Sequence, residues 1–133
     1  MVFAAPRLIL SVDFPDANNL LAGVLSLKGF KVSKSKSTDD CLSLLNQIEE
    51  KIDVVLIDKE SAVEKDFLFV NEIKKVRPDT VIVIIADEVD EDEKLLEKNI
   101  DEFVLRPISA ENLADKVLLM LAKRELKSLK EET

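Results

Sequence analysis

Residues 53–58 read DVVLID and residues 81–85 read VIVII, and these two apolar runs decide the fold. Neither run shows the alternation of polar and apolar residues that marks a strand with one face in water. Continuous runs of this length are typical of strands buried on both faces, as in a parallel sheet. Residues 8–13, LILSVD, form a third run, which ends in Asp13 as residues 53–58 end in Asp58.

Amphipathic stretches with apolar residues at helical spacing separate these runs. Gly29 follows the first stretch as a helix stop, and Pro78 closes a later one. The residues following Asp58, Lys59 to Val63, are expected to form a loop. Five helices are predicted. Three of them cover residues 16–28, residues 66–76 and about residues 91–98; of the other two, one begins with Thr38 as its N-cap and the last, a long helix, is capped by Ser109.

The alternation of strands and helices predicts the topology. Weaker strand signals at residues 30–32 and 103–105 complete a (βα)5 pattern and are expected near the edges. Short connections between parallel strands require right-handed crossovers, so helices cover both faces of the sheet. We therefore predict an α/β, flavodoxin-like, doubly wound parallel sheet with strand order 2-1-3-4-5. Residues 1–124 form one domain in this prediction, and residues 125–133 extend the last helix into a frayed tail.

Composition excludes several classes of function. The chain has 19 basic and 27 acidic residues and a net charge of −8, which disfavours nucleic acid and anionic membranes as partners. It contains no histidine, which rules out a Ser-His-Asp triad and an imidazole zinc site. Cys41 is the single cysteine and is expected to be a core residue. Without a signal-peptide pattern or an apolar run of membrane-spanning length, we expect a cytoplasmic protein.

Charged residues gather at one predicted edge of the sheet. Ligands of open parallel sheets bind beyond the carboxyl ends of the strands, where Asp13, Asp58, Ala86 and Arg106 are expected. Two neighbouring carboxylates attract Mg²⁺, and a carboxylate beside Mg²⁺ can accept a phosphoryl group as an acyl phosphate. The alternative is that strand ends of any α/β protein expose Asp and Arg to water, so Asp58 alone does not decide between a site and a surface.

From residue 7 to about residue 121 the sequence resembles the receiver domains of two-component response regulators. The resemblance is carried by the order and spacing of four motifs. These are residues 13–16, DFPD; residues 53–58, DVVLID; residues 77–80, RPDT; and residues 101–107, DEFVLRP.

The resemblance implies a role for each matching position. Asp58 would accept a phosphoryl group from a histidine kinase, a phosphotransfer protein or a small acyl phosphate. Asp13, Asp58 and the backbone carbonyl of Glu60 would ligate Mg²⁺. Arg106 would contact the phosphoryl group in place of the family's lysine. Phe103 matches the aromatic residue whose rotation reports phosphorylation.

The departures from the family pattern are expected to affect the phosphorylation-dependent switch more than the acceptance of a phosphoryl group. Val12 stands where a second acidic residue is usual, so we expect weaker Mg²⁺ binding. Ala86 replaces a Thr or Ser hydroxyl that captures a phosphoryl oxygen, a loss that weakens the switch roughly ten- to a hundredfold. Residues 59–63 also lack the family's usual Pro-Gly pair.

Three functions compete on these grounds. The first is a non-enzymatic, stand-alone receiver whose phosphorylation changes the affinity of an effector for the face formed by residues 91–98, the fifth strand and the last helix. The second is a pseudo-receiver, an interaction module insensitive to phosphate. The third, a small hydrolase or cofactor binder, is disfavoured by the missing histidines and glycine-rich loops. Leu126 and Leu129 continue an apolar stripe that would also suit a homodimer or a helical partner.

Overall fold

The computed structural model describes residues 6–11, 17–86, 100–105 and 108–131. The predicted helix near residues 91–98 lies outside these ranges. The described strands are β1 (Arg7–Ser11), β2 (Lys31–Lys34), β3 (Val54–Asp58), β4 (Val81–Ala86) and β5 (Glu102–Leu105). The described helices are α1 (Ala17–Leu27), α2 (Thr38–Gln47), α3 (Lys59–Val76) and α4 (Ala110–Glu131).

The five strands form one parallel sheet in the order β2-β1-β3-β4-β5, which confirms the predicted fold class and strand order. The short strands β2 and β5 lie at the edges, as their weaker apolar signals predicted. β3 lies in the centre, where Ile57 pairs with Ser11 of β1 and with Ile84 of β4. The two runs that decide the fold are therefore neighbours in the middle of the sheet.

Alternate residues of the central strands enter two hydrophobic cores, one on each face of the sheet. Leu56 and Val83 pack with residues of α1 and α4 on one face, while Ile57 and Ile84 pack with residues of α2 and α3 on the other. Every residue of β3 and β4 is buried. Burial on both faces explains why these runs show no polar alternation.

The helix ends follow local capping chemistry. Gly29 ends α1 with a φ of 101°, a left-handed conformation that glycine adopts without steric cost. Ser109 caps α4 as predicted, since its Oγ accepts a hydrogen bond from the backbone N–H of Asn112 at 3.0 Å. The predicted cap of α2 was wrong by one residue: Ser37, in extended backbone, accepts from the N–H of Asp40, and Thr38 lies inside the helix.

Helix α3 begins seven residues earlier than predicted. The stretch from Lys59 to Val63, which we expected to be a loop, is the start of an 18-residue helix. No proline or glycine interrupts this stretch, and Asp58 supplies an N-cap directly at the end of β3. The sheet therefore passes into α3 without a connecting loop.

Helix α4 continues through Glu131 and, at 22 residues, is about 33 Å long. Its first half packs against α1 and the sheet through Leu113, Ala114 and Val117. From Ala122 to Lys127 every residue is exposed. The predicted division of the chain after residue 124 remains a prediction.

Candidate functional site

The carboxyl ends of the strands place Asp58 and Ala86 at the same edge of the sheet. Asp58 is the last residue of β3 and Ala86 the last residue of β4. In the register of the two strands Asp58 lies opposite Ile85, so Ala86 is one residue further along the neighbouring strand. Of the predicted site residues, Asp13 and Arg106 lie outside the described ranges.

The Asp58 carboxylate is buried and hydrogen-bonded through both oxygens. Only 5% of the residue is exposed. Its Oδ1 accepts a hydrogen bond from the Ser61 hydroxyl at 2.8 Å, and its Oδ2 accepts one from the Ser61 backbone N–H at 3.1 Å. With φ −72° and ψ 151°, Asp58 has the extended backbone of an N-cap residue.

These contacts explain how an acidic side chain is accommodated at a buried position. A buried charge is costly unless hydrogen bonds replace its lost water. Ser61 provides two such bonds, and the positive end of the α3 dipole lies beside the carboxylate. Asp58 therefore stabilises the start of α3 in addition to any chemistry it performs.

Ser61 is the site residue that sequence reasoning missed. Aspartate is a favoured N-cap residue, and the third residue of a helix is the usual donor to a cap side chain. Asp58 and Ser61 have this spacing, which was the available signal. An aspartate at a strand end is compatible with both an acceptor and a helix cap, and the sequence motif alone points to the acceptor.

The predicted magnesium ligands are all oxygen donors, the type that Mg²⁺ prefers. Asp58 lies at the carboxyl edge of the sheet, and its role as a ligand remains a prediction. Glu60 is the second residue of α3, with an exposed side chain, so its backbone carbonyl lies in the first helical turn. Within the described part of the chain, no group of three or more Asp, Glu, Cys or His side chains comes together.

The two predicted switch positions differ in their surroundings. Ala86 is 1% exposed and carries a methyl group where the family pattern has a hydroxyl. Phe103, on the edge strand β5, is partly buried against the core between the sheet and α2 and α3. It pairs with Ile84, which belongs to that core. Their roles in switching remain predictions.

No family model matches the sequence, and no curated protein matches it. Solved structures do match. A response regulator from Thermotoga maritima is 21% identical, covers 89% of this chain and 98% of its own, and has a TM-score of 0.76. A CheY-like receiver domain protein from Methanospirillum hungatei JF-1 is 15% identical with a TM-score of 0.78 over 92% of this chain and 98% of its own. The chain has the receiver fold.

One of the matching structures is not described as a response regulator. A structure described as adenylate cyclase from Rhodopirellula baltica is 18% identical and covers 96% of both chains, with a TM-score of 0.79. At these identities the similarity concerns the fold, and function has to be argued from the site. None of the helices in the described ranges combines the length and apolar character needed to cross a bilayer.

Proposed function

We propose that this chain is a receiver domain that accepts a phosphoryl group on Asp58 in a Mg²⁺-dependent phosphorelay. The observation that carries the proposal is the position of Asp58: a buried carboxylate at the carboxyl end of the central strand of a receiver fold. That edge is where open parallel sheets bind their ligands.

The proposed site combines acidic and basic side chains. Asp13, Asp58 and the Glu60 carbonyl would hold Mg²⁺, which when bound neutralises charge on the phosphoryl oxygens. Arg106 would pair with the phosphoryl group, and Phe103 would report the modification. For Glu60 to be a ligand, its backbone carbonyl, which lies in the first turn of α3, would have to bind the metal ion.

The proposed partners are proteins. A histidine kinase or phosphotransfer protein would supply the phosphoryl group, and a downstream effector would bind the modified domain, in the cytoplasm and without catalysis by this chain. The net charge of −8 supports this choice over nucleic acid or membrane.

Incubation with acetyl phosphate and Mg²⁺ tests the acceptor. We expect intact-mass spectrometry to show a gain of one phosphoryl group, and Asp58→Asn to abolish it. Asn is as good an N-cap as Asp, so this variant should keep α3 in place. Asp79→Asn, in the exposed turn before β4, is the matched control and should be modified normally. The proposal fails if neither the wild-type chain nor the Ser61→Ala variant gains mass.

Restoring a hydroxyl at position 86 should strengthen the modified state. In Ala86→Ser we expect beryllofluoride, a phosphoryl mimic, to bind about ten- to a hundredfold more tightly, because a hydrogen bond to a charged group is added. Amide shifts near Asp58 during a titration would measure the affinity. Ala22→Ser, on α1, adds the same atom elsewhere and should leave the affinity unchanged. Equal affinities for Ala86→Ser and wild type would contradict the predicted role of position 86.

The pseudo-receiver is the second candidate, and two observations favour it. Both oxygens of Asp58 already have hydrogen-bond donors, and Ala86 offers no hydroxyl. In this case Asp58 serves only as the cap of α3, and Asp58→Asn leaves partner binding unchanged. A phosphoryl adduct on Asp58 that alters partner binding would exclude it.

A further inference from the structure

We propose that Ser61 is a latch on the acceptor: its contacts keep the Asp58 carboxylate from binding a metal ion or attacking a phosphoryl donor until Ser61 releases it. The inference rests on the proposed function and adds a device that controls the rate of acceptance. Ser61 acts here as a positioning residue, through Asp58.

Both oxygens of the Asp58 carboxylate already accept hydrogen bonds from Ser61. Oδ1 faces the Ser61 hydroxyl at 2.8 Å and Oδ2 faces the Ser61 N–H at 3.1 Å. Phosphoryl acceptance needs one oxygen as nucleophile, and Mg²⁺ needs a lone pair on a carboxylate oxygen. Because Asp58 is only 5% exposed, little of the carboxylate is accessible without rearranging these contacts.

The backbone of Ser61 is held in place by its neighbour in α3. The next residue, Ala62, is fully buried in the core between the sheet and α2 and α3. The first turn of α3 is thereby anchored directly beside the acceptor. Release requires either rotation of the Ser61 hydroxyl away from Oδ1 or opening of the turn itself.

The chemical step shows why the contact is inhibitory. A carboxylate oxygen attacks phosphorus, an O–P bond forms, and the bond from phosphorus to the acetate oxygen breaks. Acetate leaves with the electron pair, and no proton is transferred. An oxygen that accepts a hydrogen bond has less electron density available for attack, so the Ser61 hydroxyl lowers the reactivity of Oδ1.

Removal of the hydroxyl is the central test. Ser61→Ala keeps the backbone N–H contact and places a strong helix former in α3, so the fold should persist. We expect its initial rate of phosphorylation by acetyl phosphate with Mg²⁺ to exceed that of wild type by about tenfold or more. Ser61→Thr restores a hydroxyl and should return the rate toward wild type. Ser43→Ala, which removes an exposed hydroxyl from α2, is the matched control and should not change the rate.

A second measurement does not depend on phosphorylation. Urea unfolding of wild type, Ser61→Ala, Asp58→Ala and the double variant forms a mutant cycle. We expect Ser61→Ala to lower the unfolding midpoint in the native background and to have no such effect beside Asp58→Ala. Independent effects of the two substitutions would overturn the latch.

The outcomes separate the latch from the acceptor. If all Ser61 variants are phosphorylated at the wild-type rate, the latch is overturned and Asp58 remains the acceptor. If Ser61→Ala is slower, the hydroxyl assists the transfer and the latch is also overturned. If no variant gains a phosphoryl group, the proposed function fails, the latch fails with it, and Ser61 is a helix-capping partner alone.

Discussion

Replacing Ile57 by alanine is expected to lower the free energy of unfolding by about 4 kcal/mol. Ile57 is fully buried in β3, with β1 on one side and β4 on the other. The substitution removes three methyl or methylene carbons and leaves a cavity between the sheet and helices α2 and α3, which the surrounding core can fill only in part. Urea unfolding followed by far-ultraviolet circular dichroism measures the loss.

Two controls make this test specific. Ile57→Val removes a single methylene group and should cost about 1 kcal/mol. Leu119→Ala, on α4, truncates a side chain of a residue that is 57% exposed and should change stability by less than about 0.5 kcal/mol. A loss below about 1 kcal/mol for Ile57→Ala would contradict the central position of β3.

Replacing Arg77 by methionine is expected to cost about 3 kcal/mol, because one guanidinium satisfies three backbone carbonyls. Nε and Nη2 donate to the Leu45 carbonyl at 3.0 and 2.8 Å, Nη2 also donates to the Ile48 carbonyl, and Nη1 donates to the Glu50 carbonyl at 3.0 Å. The last carbonyls of a helix have no partner within it, and Arg77 supplies partners at the end of α2.

Lysine at position 77 keeps the charge but lacks the planar fork of donors, so Arg77→Lys should recover only part of the lost stability. Lys75→Met removes a cation from an exposed position of α3 and should have little effect, since its ion pair with Glu72 is at the surface. The melting temperatures of Arg77→Met, Arg77→Lys and Lys75→Met, measured by calorimetry, rank the three variants by stability. Equal melting temperatures for Arg77→Met and Lys75→Met would show that the guanidinium contacts add nothing.

The sheet could be predicted from the sequence because its strands are unusually clear. Continuous apolar runs such as Val81–Ile85 have one stable environment, the middle of a parallel sheet, and the alternation with helices then restricts the topology. Helix ends were harder. Ser37 and Thr38 are both competent caps, and the choice between them depends on the side chain of Asp40, which accepts from the N–H of Lys36 at 2.8 Å.

The candidate site was predicted in part. Asp58 and Ala86 lie at the carboxyl edge because strand direction fixes where each strand ends. The contact with Ser61 was not anticipated, since a residue pattern identifies a potential cap without showing whether its carboxylate faces the helix or the solvent. The early start of α3 follows from the same contact.

Helix α3 has Asp58 at its beginning and, 18 helical residues later, Arg77 at its end. The two side chains hold different partners: the first holds the helix's own amide, and the second holds the carbonyls of α2. A covalent change at the carboxylate would therefore alter the contacts that begin α3. The oxygen atoms that would carry the chemistry are the same atoms that cap the backbone at the start of α3. This helix is about 27 Å long, and at its other end Arg77 contacts the end of α2.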